Sequence, residues 1–544
     1  MNAKTKTARW SYSKHQWLGL IGGISLLVWG LSGLTHIAMV LFGPQQAAFM
    51  PPAATVALEG ARPIAQTLAE KGITEAVAVK TVPAPGGGAL WQVTPAADGA
   101  RRYFRPADGS EVTNGDRAQA EFLARHYLAT DRAISSAKLQ TEFDADYPWV
   151  NRLLPVWKLE FAGDDGLTAY VHTETSSLAA VNNTTKTRLQ SVFRALHTWE
   201  WVPPGLDWLR VVVIALMVGS LLALGLTGIA MLVTVRRKKR LPGSRGWHRI
   251  GGYVLALPLI MFSASGIYHL VQSALVPPVN QLTMGKPVNV ASGKWPVEAD
   301  WALIAKKRDI ASVAVVEGAQ GQPLYRIGLA PPKGAMGGGE HDHGPAKAAA
   351  DHGMAGHDHA AMMAAQAKTP TTGAEIREAR FAGIKPDGPA IYLDALTGNV
   401  VSAGDKDLAR AIARRFTGAP DSAVTGVELI TRFSHEYDFR NKRLPVWRVD
   451  YADPVNASLF VDTGTGVLVD RVADAEKPER LVFSFIHKWN FLFPVGRLAQ
   501  HVIVGVFAIA LIGFMAVLGL RMDLIRRLRA RRHGQRRDEG VRAT

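Results

Sequence analysis

At 544 residues the chain is too long for one ordinary core, and 48% hydrophobic residues with a mean hydropathy of +0.04 are typical of a membrane protein with large water-soluble parts. It contains no cysteine, which excludes disulfides, thiol nucleophiles, iron–sulfur clusters and haem attached through Cys-x-x-Cys-His. The net charge of +16 would suit nucleic acid, but 20 of the 62 Lys and Arg residues, against three acidic ones, lie in 1–14, 236–249 and 521–544 beside apolar segments. That placement is typical of the cytoplasmic flanks of spanning helices, so we expect a lipid environment and no nucleic acid partner.

Four apolar segments are each long enough to cross a bilayer, at 17–42, 208–235, 250–275 and 499–520. The first exceeds the apolar part of a signal peptide and has no small-residue cleavage site before Pro44, so we expect it to remain in the protein.

The basic flanks predict the orientation of these spans. The N-terminus 1–16, the loop 236–249 and the tail 521–544 should be cytoplasmic, because Lys and Arg mark the cytoplasmic ends of spanning helices. The two long segments between spans, 43–207 and 276–498, should then lie outside.

The two external segments repeat each other. Seven residues of the first recur in the second at a constant offset of 290: Tyr147, Pro155, Trp157, Val171, Thr173, His197 and Trp199 correspond to Tyr437, Pro445, Trp447, Val461, Thr463, His487 and Trp489. Each half therefore runs helix, external domain, helix, which predicts parallel repeats about an axis along the membrane normal. The expected fold is a membrane α-helical protein whose four transmembrane helices form two tandem pairs with α+β external domains.

Within each half the pattern predicts a short helix followed by a meander of strands. In the first half the helix is predicted at 118–129 and the strands at 154–162, 167–173 and 178–182. An earlier copy of this plan covers 63–113, and its counterpart begins near Pro296. We therefore expect two α+β units in each half, four in all.

The second external segment is longer because of an insertion at 331–387. Strands at 324–329 and 390–395 match 90–95 and 101–105 of the first half, where a short turn joins them. The insertion is rich in Ala, Gly, His and Met and cannot bury a core, so we expect a disordered loop at a hairpin tip.

This His/Met loop carries side chains that suit metal ions. Imidazole with thioether is typical of copper sites, and His-Asp-His also suits zinc or nickel. The candidate ligands are His341, His343, His352, His357, His359, Met336, Met354, Met362 and Met363. The alternative is a biased linker with incidental metal affinity.

Histidines bracket the first and third apolar segments at the same spacing. His15 and His36 are 21 residues apart, as are His248 and His269, and each second histidine ends a Ser-Gly-apolar-x-His sequence. Over 21 residues a helix rises about 31 Å and completes nearly six turns, so each helix places one imidazole at each membrane surface on roughly one face. This predicts bis-imidazole ligation of haem iron, in which His15 faces His248 and His36 faces His269.

Three further histidines lie at the outer ends of the second and fourth spans. His197 and His487 occur in the aromatic-rich sequences LHTWEWVPPG and IHKWNFLFPVG, and we expect them to be outer haem ligands or part of a mouth where an external substrate meets the outer haem. His501 has no partner in the second span, because the offset places Val211 there, so it would serve one site only. The alternative for any single histidine is a place in the wet interface without a ligand.

The HQWLGL and HRIGGY helix starts, the LHTWEW and IHKWNF sequences and the α+β repeats resemble the PepSY-associated transmembrane family, including its iron-regulated and ferric-siderophore reductase branch. The resemblance covers nearly the whole chain except the His/Met loop and the basic tail. It implies a bacterial inner-membrane protein with PepSY-like periplasmic domains, which holds b-type haem between four helices and passes electrons outward to a ferric siderophore. The two predicted histidine pairs suit two such haems. It places His15, His248, His197 and His487 at family motif positions. The His/Met loop departs from the family pattern and extends the expected substrates to other metal complexes.

Two functions of other classes compete with this reductase hypothesis. One is a non-enzymatic protein that handles periplasmic copper or zinc, and the other is a membrane anchor whose PepSY-like domains bind periplasmic proteins. No nucleotide-binding glycine motif is evident, so the reductase would take electrons from quinol or a partner reductase.

The charge distribution predicts the topology directly. A phosphatase that is active only after export should be inactive when fused at Gly243, because the loop 236–249 should be cytoplasmic. The same reporter fused within 43–207 should be active. Activity at Gly243 would rule out the assigned orientation.

The His/Met loop should bind metal but be dispensable for folding, because it replaces a short turn and contributes no core. Deletion of Lys333 to Lys368 should abolish high-stoichiometry copper or zinc binding and leave expression and thermal stability near those of the intact protein. Loss of folding on deletion would show that the loop is structural.

Overall fold

The computed structural model describes residues 3–95, 99–235, 241–276, 287–291, 293, 304–305, 308–330, 381–384, 390–441 and 443–542. The chain divides into two compact units. The first, which we call the helical unit, comprises Met1–Gly43, Asn183–Pro278 and Ala475–Thr544. The second, the strand unit, comprises Pro44–Asn182 and Val279–Asp474.

Four helices of the helical unit are long and apolar enough to cross a membrane: Lys4–Phe42, Pro204–Thr234, Gly243–Leu275 and Arg497–Arg532. Each includes most of one predicted apolar segment. Only 17–33% of the most apolar window of each helix is buried, so most of its apolar side chains face outward, as contact with lipid requires. The protein is therefore a multi-pass membrane protein.

The helices of both units, in chain order, are α1 Ala3–Phe42, α2 Ile64–Glu70, α3 Gly115–Leu128, α4 Thr184–Phe193, α5 Asp207–Thr234, α6 Gly243–Leu275, α7 Asp405–Thr417, α8 Lys477–Val482, α9 Arg497–Ala510 and α10 Leu518–Arg542. Three π-helical segments continue α4, α8 and α9 without a break: Arg194–Thr198, Phe483–His487 and Leu511–Val517. The predicted cytoplasmic ends 1–16 and 521–544 are largely helical extensions of the first and fourth spans. Residues 236–240 of the predicted basic loop lie outside the described residues.

The strands are β1 Glu75–Ala76, β2 Ala78–Pro83, β3 Ala89–Thr94, β4 Arg102–Phe104, β5 Ile134–Gln140, β6 Val156–Phe161, β7 Thr168–His172, β8 Ser177–Asn182, β9 Val288–Asn289, β10 Ile310–Glu317, β11 Pro323–Leu329, β12 Ile391–Asp394, β13 Val400–Val401, β14 Val424–Ile430, β15 Val446–Tyr451, β16 Ala457–Asp462 and β17 Val467–Ala473. Two four-stranded antiparallel meanders, β5 to β8 and β14 to β17, occupy repeat-related positions. The sequence predicted the last three strands of the first meander but missed β5. In the first, α3 packs on the sheet through a core that includes Leu123, Leu159 and Val171.

The expectation of four separate α+β units is wrong for the two leading units. Their strands form one seven-stranded sheet in the order β13-β12-β11-β10-β2-β3-β4. The junction is the antiparallel pairing of β10 with β2, in which Ala314 lies opposite Lys80 and Val315 opposite Val79. Pairing covers the backbone groups that each half would otherwise expose at a sheet edge, which explains why the two halves merge here.

The predicted disorder does not extend over the whole insertion. The prediction placed disorder throughout 331–387, but residues 381–384 have a defined position on the strand unit. Ile384 donates its backbone N–H to the carbonyl of Thr431 at 2.8 Å, and Phe381 packs edge-on against Phe439 with ring centroids 6.1 Å apart. Phe381, near the end of the insertion, therefore packs on an apolar surface. The composition of 331–387 does not indicate this contact.

A chain of buried charges joins the two halves of the strand unit. Glu174 is fully buried and accepts from the guanidinium of Arg443, which also donates to Asp462 at 2.8 Å. The ammonium of Lys80 lies 3.4 Å from the other oxygen of Glu174. Burial by itself would raise the pKa of Glu174, but the charges of Arg443 and Lys80 outweigh it and hold that pKa well below its usual range.

Replacement of Glu174 by Gln should destabilise the protein at pH 7 by about 3 kcal/mol, because it leaves two buried cations without this partner while Arg443 retains Asp462. The depressed pKa means that the interaction is fully present above the ordinary carboxyl pKa of about 4.3 and is lost as the pH falls below it. Thermal unfolding of the full-length protein in detergent should therefore show a difference between wild type and E174Q that shrinks from pH 5 to pH 3. Asp165→Asn, which breaks an exposed pair with Arg132, should change stability by less than about 1 kcal/mol. Equal effects of the two substitutions would contradict the role of burial.

Candidate functional site

The structure brings His15 and His248 together. We call this pair the inner level, after the predicted orientation, and the histidines near the other ends of the spans the outer level. His15 of α1 and His248 of α6 face each other with ring centroids 6.2 Å apart and ring planes at 68°. Two imidazoles that share one metal through their ring nitrogens have centres about 6 Å apart, since each metal–nitrogen bond is about 2 Å and each ring adds about 1 Å. The separation of His15 and His248 therefore fits bis-imidazole ligation.

The hydrogen bonds of these two rings decide which nitrogen is left for a metal. Nδ1 of His248 lies 2.9 Å from the carbonyl oxygen of Phe514, which can only accept, so Nδ1 carries the proton. Nδ1 of His15 lies 3.1 Å from Oγ1 of Thr227, whose hydroxyl donates to Ala223 and is left to accept. In both rings Nε2 keeps its lone pair, as in metal-ligating histidines whose other nitrogen donates to the protein.

A local distortion of the fourth span places the acceptor for His248. Phe514 lies in the π-helical segment Leu511–Val517, where the hydrogen-bond register differs from that of the α-helix on either side. Such segments shift carbonyl groups away from the regular α-helical pattern and are frequent at functional sites. The sequence of this apolar span gave no sign of the segment.

Glycines let the inner imidazoles lie against helix backbone. A Cβ added to Gly228 would stand 3.6 Å from Cε1 of His15, and one added to Gly519 would stand 3.5 Å from Cε1 of His248. A methyl group at either position would therefore be in van der Waals contact with the ring. The close approach of α5 and α10 therefore restricts how each imidazole can rotate.

At the outer level each half forms the same aromatic sandwich. In the first half the ring of Phe193 lies between His36 and His197, at 5.4 and 4.6 Å between centroids. In the second half Phe483 lies between His269 and His487, at 4.0 and 4.8 Å. Because a phenyl ring separates the two histidines within each half, a shared metal would require one histidine from each half.

Serines of α1 and α6 accept a hydrogen bond from one histidine of each sandwich, His197 or His487. Nδ1 of His197 is 3.0 Å from Oγ of Ser32, and Nδ1 of His487 is 3.1 Å from Oγ of Ser265. Both serine hydroxyls donate to carbonyls of their own helix, so each accepts the histidine Nδ1–H. The Ser-Gly-apolar-x-His repeat thus supplies both an outer histidine and the acceptor for its neighbour.

Both of these histidines occupy unusual backbone. His197 and His487 lie in the π-helical segments Arg194–Thr198 and Phe483–His487. Two residues later Trp199 and Trp489 adopt left-handed φ angles of 53° and 56°, which bulky side chains rarely take. Strain of this kind persists where surrounding contacts impose it, and it is frequent at functional sites.

Contacts to the two tryptophans and the adjoining carbonyls hold this backbone. Trp29 stacks on Trp199 at 5.9 Å, and the repeat-related Phe262 stacks on Trp489 at 5.3 Å. Arg210 donates to the carbonyl of Thr198 at 2.8 Å, while Gln500, at the same position in the second half, donates to that of Lys488 at 2.6 Å.

The four outer-level histidines are close enough to interact electrostatically. His197 lies within range of His36 and His269, and His487 lies within range of His197 and His269. The structure therefore gathers His36, His197, His269 and His487 into one outer cluster. The specific pairing of His36 with His269 stays a prediction.

Two features break the symmetry of the outer cluster. Nδ1 of His269 lies 2.6 Å from Oε1 of Glu479, whose counterpart in the first half is Leu189. His501 donates from Nδ1 to the carbonyl of Arg497 at 2.7 Å, and its counterpart is Val211. In both rings the donor is again Nδ1.

The donor set within the described part of the chain favours axial ligation over a metal cage. No group of three or more His, Cys, Asp or Glu residues there is placed to hold a metal ion. Pairs of imidazoles suit haem iron, because the macrocycle supplies its four other ligands. Within the described part of the helical unit two buried donors have no hydrogen-bond partner, one at each level: the hydroxyl of Ser11, one turn before His15, and the indole Nε1–H of Trp489. Such donors suit the carboxylates of a haem.

The sequence missed several residues that support the histidines. Phe193 and Phe483 recur at the offset of 290 and were detectable from the repeat, whereas Thr227, Phe514 and Glu479 gave no signal. The His/Met loop, with His341, His343, His352, His357, His359, Met336, Met354, Met362 and Met363, lies outside the described residues, so its metal site stays a prediction.

A comparison with protein families gave one match that spans both units. The model of the PepSY-associated TM region matches residues 12–522, which include the seven histidines of the inner and outer levels and both long segments between the spans, 43–207 and 276–498. A search of curated proteins found no match. Because the match extends over nearly the whole chain, the protein belongs to the family of the PepSY-associated TM region.

Proposed function

We propose that this protein is an inner-membrane b-type haem protein that carries electrons outward to a periplasmic metal complex, with a ferric siderophore as the expected substrate. The observation that carries the proposal is the pair His15 and His248, whose centroids are 6.2 Å apart and whose Nδ1 atoms both donate to protein acceptors. Family membership supports a membrane protein of this kind.

The residues fall into two levels, which suits two haem groups. His15 and His248 would hold the inner one, and the outer cluster of His36, His197, His269 and His487 would supply ligands for the outer one, with His501 beside it. Along α1 the two levels are 21 residues apart, about 31 Å of helix. Bis-imidazole haem supplies a one-electron couple when it is bound.

The chain's own groups hold and orient the imidazoles. Thr227 and the Phe514 carbonyl fix the inner rings, and Ser32 and Ser265 fix His197 and His487, so that each Nε2 keeps the direction that ligation needs. The Phe193 and Phe483 rings cover the faces of the outer histidines. Apolar packing around Leu26, Leu221 and Leu255 excludes water between the levels.

The electron transfer to the substrate requires little from the protein beyond holding the outer haem and the substrate in position. A ferric ion in the substrate gains one electron and becomes ferrous, and the siderophore keeps its own atoms. The electron must be replaced from the inner side by quinol or a partner reductase, the donors expected from the sequence.

The purified protein should be coloured, with low-spin haem that acid solvent extracts because no cysteine attaches it. His15→Ala and His248→Ala should each remove or convert the same inner haem, since the two imidazoles would share one iron, while the outer spectrum persists. The readouts are haem content and reduced-minus-oxidised visible spectra. His126→Ala, in the strand unit, serves as the matched control and should keep the full content. A colourless protein from haem-replete cells would exclude the proposal.

Electron transfer is tested separately. Protein reduced with dithionite, and freed of excess reductant, should be reoxidised on addition of a ferric siderophore. His36→Ala and His269→Ala should slow this step more than the initial reduction, because they affect the outer level. A coloured protein that ferric siderophores do not reoxidise would leave haem binding intact and contradict the substrate.

A further inference from the structure

A carboxylate is bonded to a histidine of the outer cluster in the second half of the repeat. Glu479 is nearly buried, at 9% exposure, and its Oε1 accepts from Nδ1 of His269 at 2.6 Å. The residue at the same position of the first half is Leu189. His36 is the counterpart of His269 in the first half, and the sequence there has a leucine at the position of Glu479.

Glu479 and Phe483 contact the same imidazole from one helical face. They are four residues apart on the continuous stretch formed by α8 and its π segment, so both side chains point to the same side. Phe483 stacks on the ring of His269 at 4.0 Å while Glu479 holds its Nδ1–H. Two contacts at right angles, one to the face and one to the edge, define the orientation of the ring.

The neighbouring cations contact other groups, and the Glu479 carboxylate is directed at His269. Arg480, the next residue, pairs with Glu476 at 3.7 Å, and the ammonium of Lys488 lies 4.8 Å over the ring of Phe483. The start of α8 is also tied to α6 independently, because Gln272 donates to the carbonyl of Ala475 at 3.2 Å. The position of α8 therefore does not depend on Glu479 alone.

We propose that Glu479 is a positioning residue that makes the two halves of the outer cluster electronically unequal. By accepting the Nδ1–H of His269, it increases the electron donation from Nε2 and stabilises the oxidised state of an iron bound there. The centre held through His269 therefore has a lower reduction potential than it would have with a neutral partner. This strengthens the drive to pass an electron to an acceptor at the outer surface. The inference rests on the proposed haem function.

The test compares the reduction potential of three full-length variants with that of wild type. Glu479→Gln keeps a hydrogen-bond acceptor but removes the charge, so the reduced-to-oxidised ratio of one haem at a fixed ambient potential should rise about tenfold, or about 59 mV for a one-electron couple. Glu476→Gln is the matched control, because it removes a carboxylate of the same segment that is directed at Arg480, and it should leave the ratio unchanged. Leu189→Glu places a carboxylate at the repeat-related position and should lower the ratio for the centre that His36 serves.

The outcomes separate this inference from the function on which it rests. A colourless wild-type protein would overturn the proposed function itself. A coloured E479Q protein with the wild-type potential would overturn the role of Glu479 and leave haem binding intact. If E479Q cannot be purified, Leu189→Glu decides the question, since an unchanged ratio in that variant would also overturn the proposal. Visible absorption during a potentiometric titration gives the ratio without any measurement of substrate turnover.

Discussion

An imidazole inside an apolar helical bundle must place its N–H on an acceptor, because an unpaired polar group there costs much more than it does in water. Six histidines of the helical unit meet this requirement through Nδ1, with acceptors as different as the Thr227 hydroxyl, the Phe514 carbonyl and the Glu479 carboxylate. The common result is an Nε2 that keeps its lone pair. The π-helical segments and the left-handed tryptophans follow from this requirement, since they place the histidines and one of their acceptors.

Duplication doubles the arrangement and also shows where the halves have diverged. The sandwiches around Phe193 and Phe483, and the serines Ser32 and Ser265, are the same in both halves. At other repeat-related positions the residue differs but the contact is the same. Arg210 in the first half and Gln500 in the second each donate to the carbonyl of the residue that follows a histidine, His197 or His487. The carboxylate of Glu479 on His269 has a leucine at the repeat-related position of the sequence, so the two halves need not contribute equally to a shared centre.

The strand unit relates its two halves in a different way. There the repeats share one seven-stranded sheet and a buried ion chain through Glu174 and Arg443. Neither residue recurs in the other half. The offset of 290 places Gly464 at the position of Glu174 and Leu153 at that of Arg443. The charge pair is therefore not duplicated, and it carries a cost in desolvation that apolar packing would not incur.

The sequence by itself determined the four apolar spans, the duplication and the last three strands of the first meander, because these follow from hydropathy and periodicity. It predicted the depth of His15, His36, His248 and His269 from the fixed rise of a helix. It also predicted that His15 faces His248. Only the tertiary structure decided the merged seven-stranded sheet, the order at 381–384 and the partners of each Nδ1. Those features depend on contacts between residues far apart in the chain, such as His248 with Phe514 or His269 with Glu479, and on a π-helical register that apolar residues do not encode locally.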